Sequence, residues 1–355
     1  MPGPGEGIPK EILLVSPDRL GDLVWTLPAL DHVRATYPSS RISFLASRYA
    51  GRLLEGHPAV DRLFFLERNT HSLGKFLHYR AFLWKWGRRP PDVLVLFKGG
   101  HLGRTFARRF RKHRVYSILD FPESRRKKDH PARLRLELVE RFCGPYGREA
   151  WPEYHVPRED QARADARIAG MGLKPRRFLV LHPGANKLVR FRSILAPADA
   201  RNSLKTWPLD RWKELARELG RLGIPALLTG GPPEGEACRE VAREGKGRIL
   251  SIAGGPDVRE LAGILARARA VVVADTGPGH LAAAVGTPVV SLFGPTDPGA
   301  SGPAAPAGRI RILRAGLPCS PCKDRPGVEC RDNQCMRAIR ADQVLTALEE
   351  LDALP

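Results

Sequence analysis

Short apolar runs and longer amphipathic stretches alternate along this chain. In its first part Glu11–Ser16, Arg41–Ala46, Leu63–Glu67, Asp92–Phe97 and Arg114–Ile118 read as strands, and Leu23–Thr36 reads as a helix. A polar stretch around Pro157–Pro175 reads as a linker, after which the alternation resumes. Strands are predicted over Phe178–His182, Ala226–Thr229, Ile249–Ile252 and Ala270–Ala274, with helices over Leu209–Leu222 and Glu234–Arg243. Such alternation predicts parallel sheets carrying helices on both faces. At 355 residues the chain is too long for one typical core. The economical architecture is therefore α/β, with two doubly wound Rossmann-like domains facing a central cleft, over 10–165 and 175–340. A final helix is expected over Ala341–Leu351.

The strand Ala270–Ala274 runs into Asp275-Thr276-Gly277-Pro278-Gly279-His280 and then into the helix-like Leu281–Val285. The first N–H groups of a helix have no intrahelical partner and lie at the positive end of its dipole, so a strand, a tight turn and a helix start build an anion site. His280 falls in the first turn. A capped helix with a partly buried histidine would give the same pattern. Gly286–Pro298 then forms a second short strand ending in a Gly/Pro turn, so two strand ends open onto one edge, where open α/β sheets collect ligands.

At this point the sequence resembles glycosyltransferase family 9, the ADP-heptose:lipopolysaccharide heptosyltransferases. The block from Asp275 to Pro298 matches the family signature at nearly every fixed position. Ile12–Ser16, Arg19-Leu20-Gly21-Asp22 and Thr26-Leu27-Pro28-Ala29-Leu30 resemble its N-terminal strand, G-D loop and helix. His182-Pro183-Gly184-Ala185, Lys205-Thr206-Trp207-Pro208, Arg211-Trp212 and Gly230-Gly231-Pro232-Pro233-Glu234 follow in the family's order, and Pro318–Met336 resembles its cysteine-containing tail. The resemblance implies a GT-B fold, with residues 341–355 packing back toward the first domain. It also implies an inverting transfer of heptose from ADP-heptose to the inner core of lipopolysaccharide.

Sugar transfer from a nucleotide needs a base for the acceptor hydroxyl, a rigid donor site and charge to receive the leaving diphosphate. Asp22 follows the first strand and begins a helix. It fits either a helix cap or a base, and the resemblance implies the base. No Asp-x-Asp triplet occurs in the chain, so the usual sign of a cation-dependent transferase is missing and no catalytic cofactor is expected. Lys205, His280 and the helix start at Thr276-Gly277-Pro278 are the candidates to neutralise the diphosphate, beside Gly184. Glu234, with Glu236 competing, could accept from ribose hydroxyls. Asp275 could contact the sugar or simply cap its turn, and Trp207 and Trp212 read as core anchors. Residues 187–204 form a long basic loop of unassigned role.

Composition narrows the partners. There are 58 Lys+Arg against 38 Asp+Glu, a formal net charge of +20, and residues 101–150 hold 14 of the cations against 6 acids. That field suits polyanions. Nucleic acid is disfavoured, because the basic runs lack interleaved aromatics and no binding module is recognisable. A phosphorylated lipopolysaccharide-core glycolipid and an anionic membrane surface suit it better, with Arg125, Arg126, Lys127 and Lys128 as the acceptor-binding candidates. Met1–Lys10 resembles neither a signal peptide nor an anchor, and no apolar run spans a bilayer, so a cytoplasmic protein, or one peripheral to the inner membrane, is expected. Of six cysteines, Cys319, Cys322, Cys330 and Cys335 have a spacing that suits a structural zinc but equally free or paired thiols. Two other functions stay open: a transferase with a different nucleotide sugar and acceptor, and a non-catalytic polyanion-binding protein on the same fold.

Overall fold

The computed structural model describes residues 7–66, 82, 84, 86–147, 149, 151–184, 204–322, 330 and 332–354. The chain divides into two compact units, Met1–Pro152 and Glu153–Pro355.

The first unit contains strand β1 (Glu11–Ser16), helices α1 (Leu20–Val24) and α2 (Leu27–Thr36), then strands β2 (Arg41–Ser47), β3 (Arg62–Leu66) and β4 (Val93–Leu96). Helix α3 (Gly100–Arg109), strand β5 (Arg114–Ser117) and helices α4 (Glu123–Lys128) and α5 (Pro131–Cys143) complete it. The sheet order is β3-β2-β1-β4-β5, every pairing parallel. A sheet covered on both faces buries its central strands completely, which is why β1 reads as a continuous apolar run. Leu13 and Val15 of β1, with Leu94 and Leu96 of β4, point one way and pack on Phe106 of α3 and on Phe110 just after it. The single helix expected over Leu23–Thr36 is two helices, separated at Trp25–Thr26. Pro28 sits in the first turn of the second, where its missing N–H leaves no helical bond unmade.

The second unit begins with helix α6 (Arg158–Gly170), strand β6 (Leu179–His182), helix α7 (Leu209–Arg221) and strand β7 (Ala226–Leu228). Helix α8 (Gly235–Glu244), strand β8 (Ile249–Ser251), helix α9 (Val258–Arg267), strand β9 (Ala270–Ala274) and helix α10 (Gly277–Ala284) follow. Strands β10 (Val289–Leu292) and β11 (Ile310–Leu313) and helix α11 (Ala341–Glu349) close it. The order β11-β10-β9-β6-β7-β8 is again wholly parallel.

The stretch that reads as a polar linker is helix α6. It is held to α9 by charge as much as by apolar contact. Arg167 meets Glu260 at 2.5 Å, Asp165 meets Arg267 at 2.7 Å, and the fully buried Asp160 meets Arg259 at 2.7 Å. Helix α11 buries Val344, Ala347 and Leu348 in the same core as Trp207, Trp212, Leu215 and Leu219, so its apolar face is used within the second unit. Of the basic loop 187–204, all but Leu204 lies outside the described residues.

Candidate active site

In doubly wound sheets, ligands gather where the strand order reverses, outside the carboxyl ends of the two strands that flank the reversal. In the first unit those strands are β1 and β4, and in the second they are β6 and β9. Both sets of candidate residues lie at these points.

In the first unit Asp22 is the third residue of α1. The N-cap is Arg19, which makes no side-chain capping bond, so Asp22 is not the cap of this helix. Its carboxylate Oδ1 instead accepts from Arg135 Nη2 at 3.2 Å. Asp22 is about one-third exposed while Arg135 is buried, so the arginine is a fixed support and the carboxylate faces outward. Arg135 comes from α5, whose start is capped by the His130 ring accepting from the Ala132 N–H. Its guanidinium also lies 5.7 Å from the Trp25 ring centre.

The groups around Asp22 are not among those the sequence singles out. Asp18, in the turn after β1, is buried and ion-paired with Lys98, which follows the end of β4. Burial raises the Asp18 carboxyl above its ordinary range and the Asp22 charge adds to this, while Lys98 and Arg135 pull it back. Arg135 lies more than a hundred residues from Asp22 in sequence, and no local spacing connects them. Lys98 is within reach of inference, because the strand order alone places it beside the turn after β1.

In the second unit the end of β9 runs directly into α10. Thr276 is the extended N-cap, and Pro278 occupies the first turn. Gly184, just past β6, has φ +66°, and a Cβ there would come within 2.8 Å of Thr276 Cγ2. Only glycine lets the two strand ends approach this closely. Asp275 is buried, and its Oδ2 accepts from Thr296 Oγ1 at 2.7 Å and from Lys205 Nζ. His280 is buried one turn into α10. Lys205 is thus tied to the residue that precedes the first turn of α10, and the buried His280 lies in that same turn.

Lys205 is held from behind. Trp207 is fully buried, edge-on to Trp212, and its indole N–H donates to the Ile339 carbonyl at 3.0 Å. Asn333 Nδ2 donates to the Thr206 carbonyl at 3.1 Å. The two tryptophans are thus core anchors, and the segment carrying Lys205 is pinned to the end of the chain. Glu234 is buried, and its Oε2 accepts the Gly231 N–H, a turn-closing bond, whereas Glu236 is exposed.

His182 at the end of β6 is buried, with Nδ1 2.9 Å from Thr229 Oγ1. Burial holds its pKa down at about 4 from an ordinary 6.5. Between those values the unfolded chain binds a proton that the folded chain refuses, so stability is full above pH 6.5 and is lost as pH falls toward 4. That shift corresponds to on the order of 3 kcal/mol. Denaturant midpoints measured from pH 7 to pH 4 should fall accordingly, with a clearly shallower slope in His182→Asn. Equal slopes would exclude His182 as the titrating group.

The Arg125–Lys128 run falls within α4, and much of its charge is matched internally. Arg125 makes a fork of two 2.8 Å bonds to Glu137 and one of 2.7 Å to Asp129. Lys127 pairs with Glu123 at 2.6 Å, and Arg126 Nε donates to the Phe121 carbonyl at 3.1 Å.

The four tail cysteines are free thiols: Cys319 is exposed, Cys330 half-buried, and Cys322 and Cys335 buried. Burial first, and then the nearby Cys330, Cys322 and Cys319, push the Cys335 thiol up to about 11. Among the described residues no three His, Cys, Asp or Glu side chains are arranged to hold a metal ion.

Two parallel-sheet units, each with polar side chains at its strand reversal, make up an α/β fold of the GT-B type. A sequence profile of glycosyltransferase family 9 (heptosyltransferase) matches residues 101–331. The chain belongs to that family. It is 28% identical over 381 residues to lipopolysaccharide heptosyltransferase 1 of Pseudomonas aeruginosa, covering 97% of this chain and 98% of the relative. A glycosyltransferase family 9 structure from Veillonella parvula superposes with a TM-score of 0.75 at 21% identity, covering 96% of this chain and 97% of that one. The E. coli ADP-heptose lps heptosyltransferase II gives 0.71 at 19%, covering 96% and 98%. No helix among the described residues is long and apolar enough to cross a membrane.

Proposed function

We propose that this protein transfers heptose from ADP-heptose to the inner core of lipopolysaccharide, with inversion and without a catalytic metal. The observation that carries the reading is the pair of the half-buried Lys205 with the buried Asp275 just before α10. An ammonium has three donors, so with one on Asp275 two remain for phosphate oxygens. Lys205, His280 and the main-chain N–H groups at the start of α10 receive the diphosphate charge as the glycosidic bond breaks, in place of a cation. Gly184 and Thr276 leave room for the nucleotide, and Glu234 accepts from its ribose.

Asp22 takes the proton of the acceptor hydroxyl. The freed oxygen attacks the anomeric carbon from the face opposite the departing ADP, which inverts that centre. Arg135 holds Asp22 in place. The first unit takes the acceptor, whose phosphates meet the exposed heads of Arg126, Lys127 and Lys128 and the flank of Arg125. The reaction takes place in the cytoplasm.

A donor panel tests the reading. ADP-heptose should release ADP in the presence of a deacylated core acceptor, and UDP-, GDP- and ADP-hexoses should not. Turnover with a hexose donor in preference would replace the sugar assignment. The same assay should persist in EDTA. Loss that Mg2+ or Mn2+ restores, with folding unchanged, would overturn the metal-independent mechanism, whereas loss with unfolding would point to a structural ion.

A further inference from the structure

Two of the four cations of α4, Arg125 and Lys127 in the first unit, are already ion-paired. At the opposite edge of the same sheet, before β4 and β5 begin, lies a hollow of about 830 Å³. Arg108, Arg109, Arg111 and Lys112 line it from the end of α3 and the turn into β5, with no acidic residue among the described residues of the wall. Arg88 and Arg89 flank it, both exposed. Among the described residues none of these six cations is ion-paired, in contrast to Arg125 and Lys127. Uncompensated like charge held in a concavity destabilises the fold unless an anion is drawn there.

Two further observations identify the anion's surroundings. Gly87 leaves space for the Arg109 guanidinium, which lies where a Cβ would stand, 2.3 Å from Nη2. That close packing aims a planar fork of donors, the geometry that recognises phosphodiesters. Beside it Trp84 is 59% exposed, with the Arg88 guanidinium 4.2 Å from the ring centre. An exposed indole next to arginines is the pairing found at headgroup level in membranes. A single-stranded nucleic acid would need successive aromatic platforms, and around the hollow Trp84 is the one exposed large aromatic among the described residues.

We propose that this hollow and Trp84 form a docking surface for the headgroups of an anionic lipid bilayer, separate from the edge that carries Asp22. The proposal does not depend on which sugar is transferred.

Flotation of the full-length protein with phosphatidylcholine vesicles, with and without phosphatidylglycerol, tests it. Wild type should float only with the anionic vesicles, and less at high salt. Replacing Arg108, Arg111 and Lys112 with Gln together should weaken binding on the order of 100-fold, roughly fivefold for each cation near the surface. Trp84→Ala should weaken it further at every salt concentration. The triple variant Arg243→Gln, Lys246→Gln and Arg248→Gln loses the same charge from exposed sites in the second unit and should float like wild type. Turnover on a water-soluble acceptor should be unchanged in the hollow variant. The proposal is overturned if that variant floats normally, if the second-unit control loses as much, or if soluble turnover falls. Inorganic phosphate displacing the vesicles at constant ionic strength would make the hollow a site for free phosphate. Tighter binding of single-stranded RNA than of vesicles would assign it to nucleic acid.

Discussion

Asp22→Asn should lower kcat by ~10²–10⁴ with little change in donor affinity, as expected when a general base is removed but its shape is kept. The substitution is nearly isosteric. The new amide could still accept from Arg135 through its carbonyl oxygen, so the 3.2 Å contact and the helix should survive. What disappears is the capacity to take a proton. A single-turnover assay with saturating donor isolates the step, and turnover near wild type would remove Asp22 from the mechanism. Arg135→Met is the companion variant. It leaves the carboxylate in place but unsupported, so turnover should fall less than in Asp22→Asn.

Lys205→Met should show a double loss. Turnover should fall by about 10²–10³, the scale of removing one preorganised donor from a developing charge. Stability should fall by about 3–5 kcal/mol, because Asp275 is left buried with its cation gone. The two effects separate in the double variant Lys205→Met, Asp275→Asn. With the orphaned charge removed, the denaturation midpoint should largely return, since the substituted amide can still pair with Thr296. Turnover should not return. Recovery of both would mean that Lys205 only balances Asp275 and does not serve the diphosphate.

The legibility of this fold varies with what holds each element. Strands β1 and β9 are readable to the residue, because a strand buried on both faces is apolar through its middle. Helix α6 is not readable, since it docks through arginine–carboxylate pairs to α9 and exposes most of a polar sequence. No apolar period marks such a helix. The segments around Gly184, Lys205 and Asp275 are contiguous enough to be found as motifs. The Asp22 environment is only half visible. Asp18, Lys98 and Arg135 reach it from three separate segments, brought together because β4 pairs with β1 and α5 returns across the sheet end. Such convergence is a property of strand order. The charge run at Arg125–Lys128 shows the reverse failing: it is conspicuous in sequence, yet its ion pairs with Glu123, Asp129 and Glu137 are visible only in three dimensions.

The bond from Trp207 to the Ile339 carbonyl, and that from Asn333 to the Thr206 carbonyl, also set an order of assembly. A nascent chain that has emerged only as far as Ser320 already contains Lys205, Asp275 and His280. It lacks the Met336, Ile339, Val344 and Leu348 side chains that complete the core of the two tryptophans. The first unit can close early in synthesis, but the core of the second unit must wait until Leu348 has been made. A ribosome stalled before residue 333 would thus carry a finished first unit and a second unit in which Lys205 is not yet fixed.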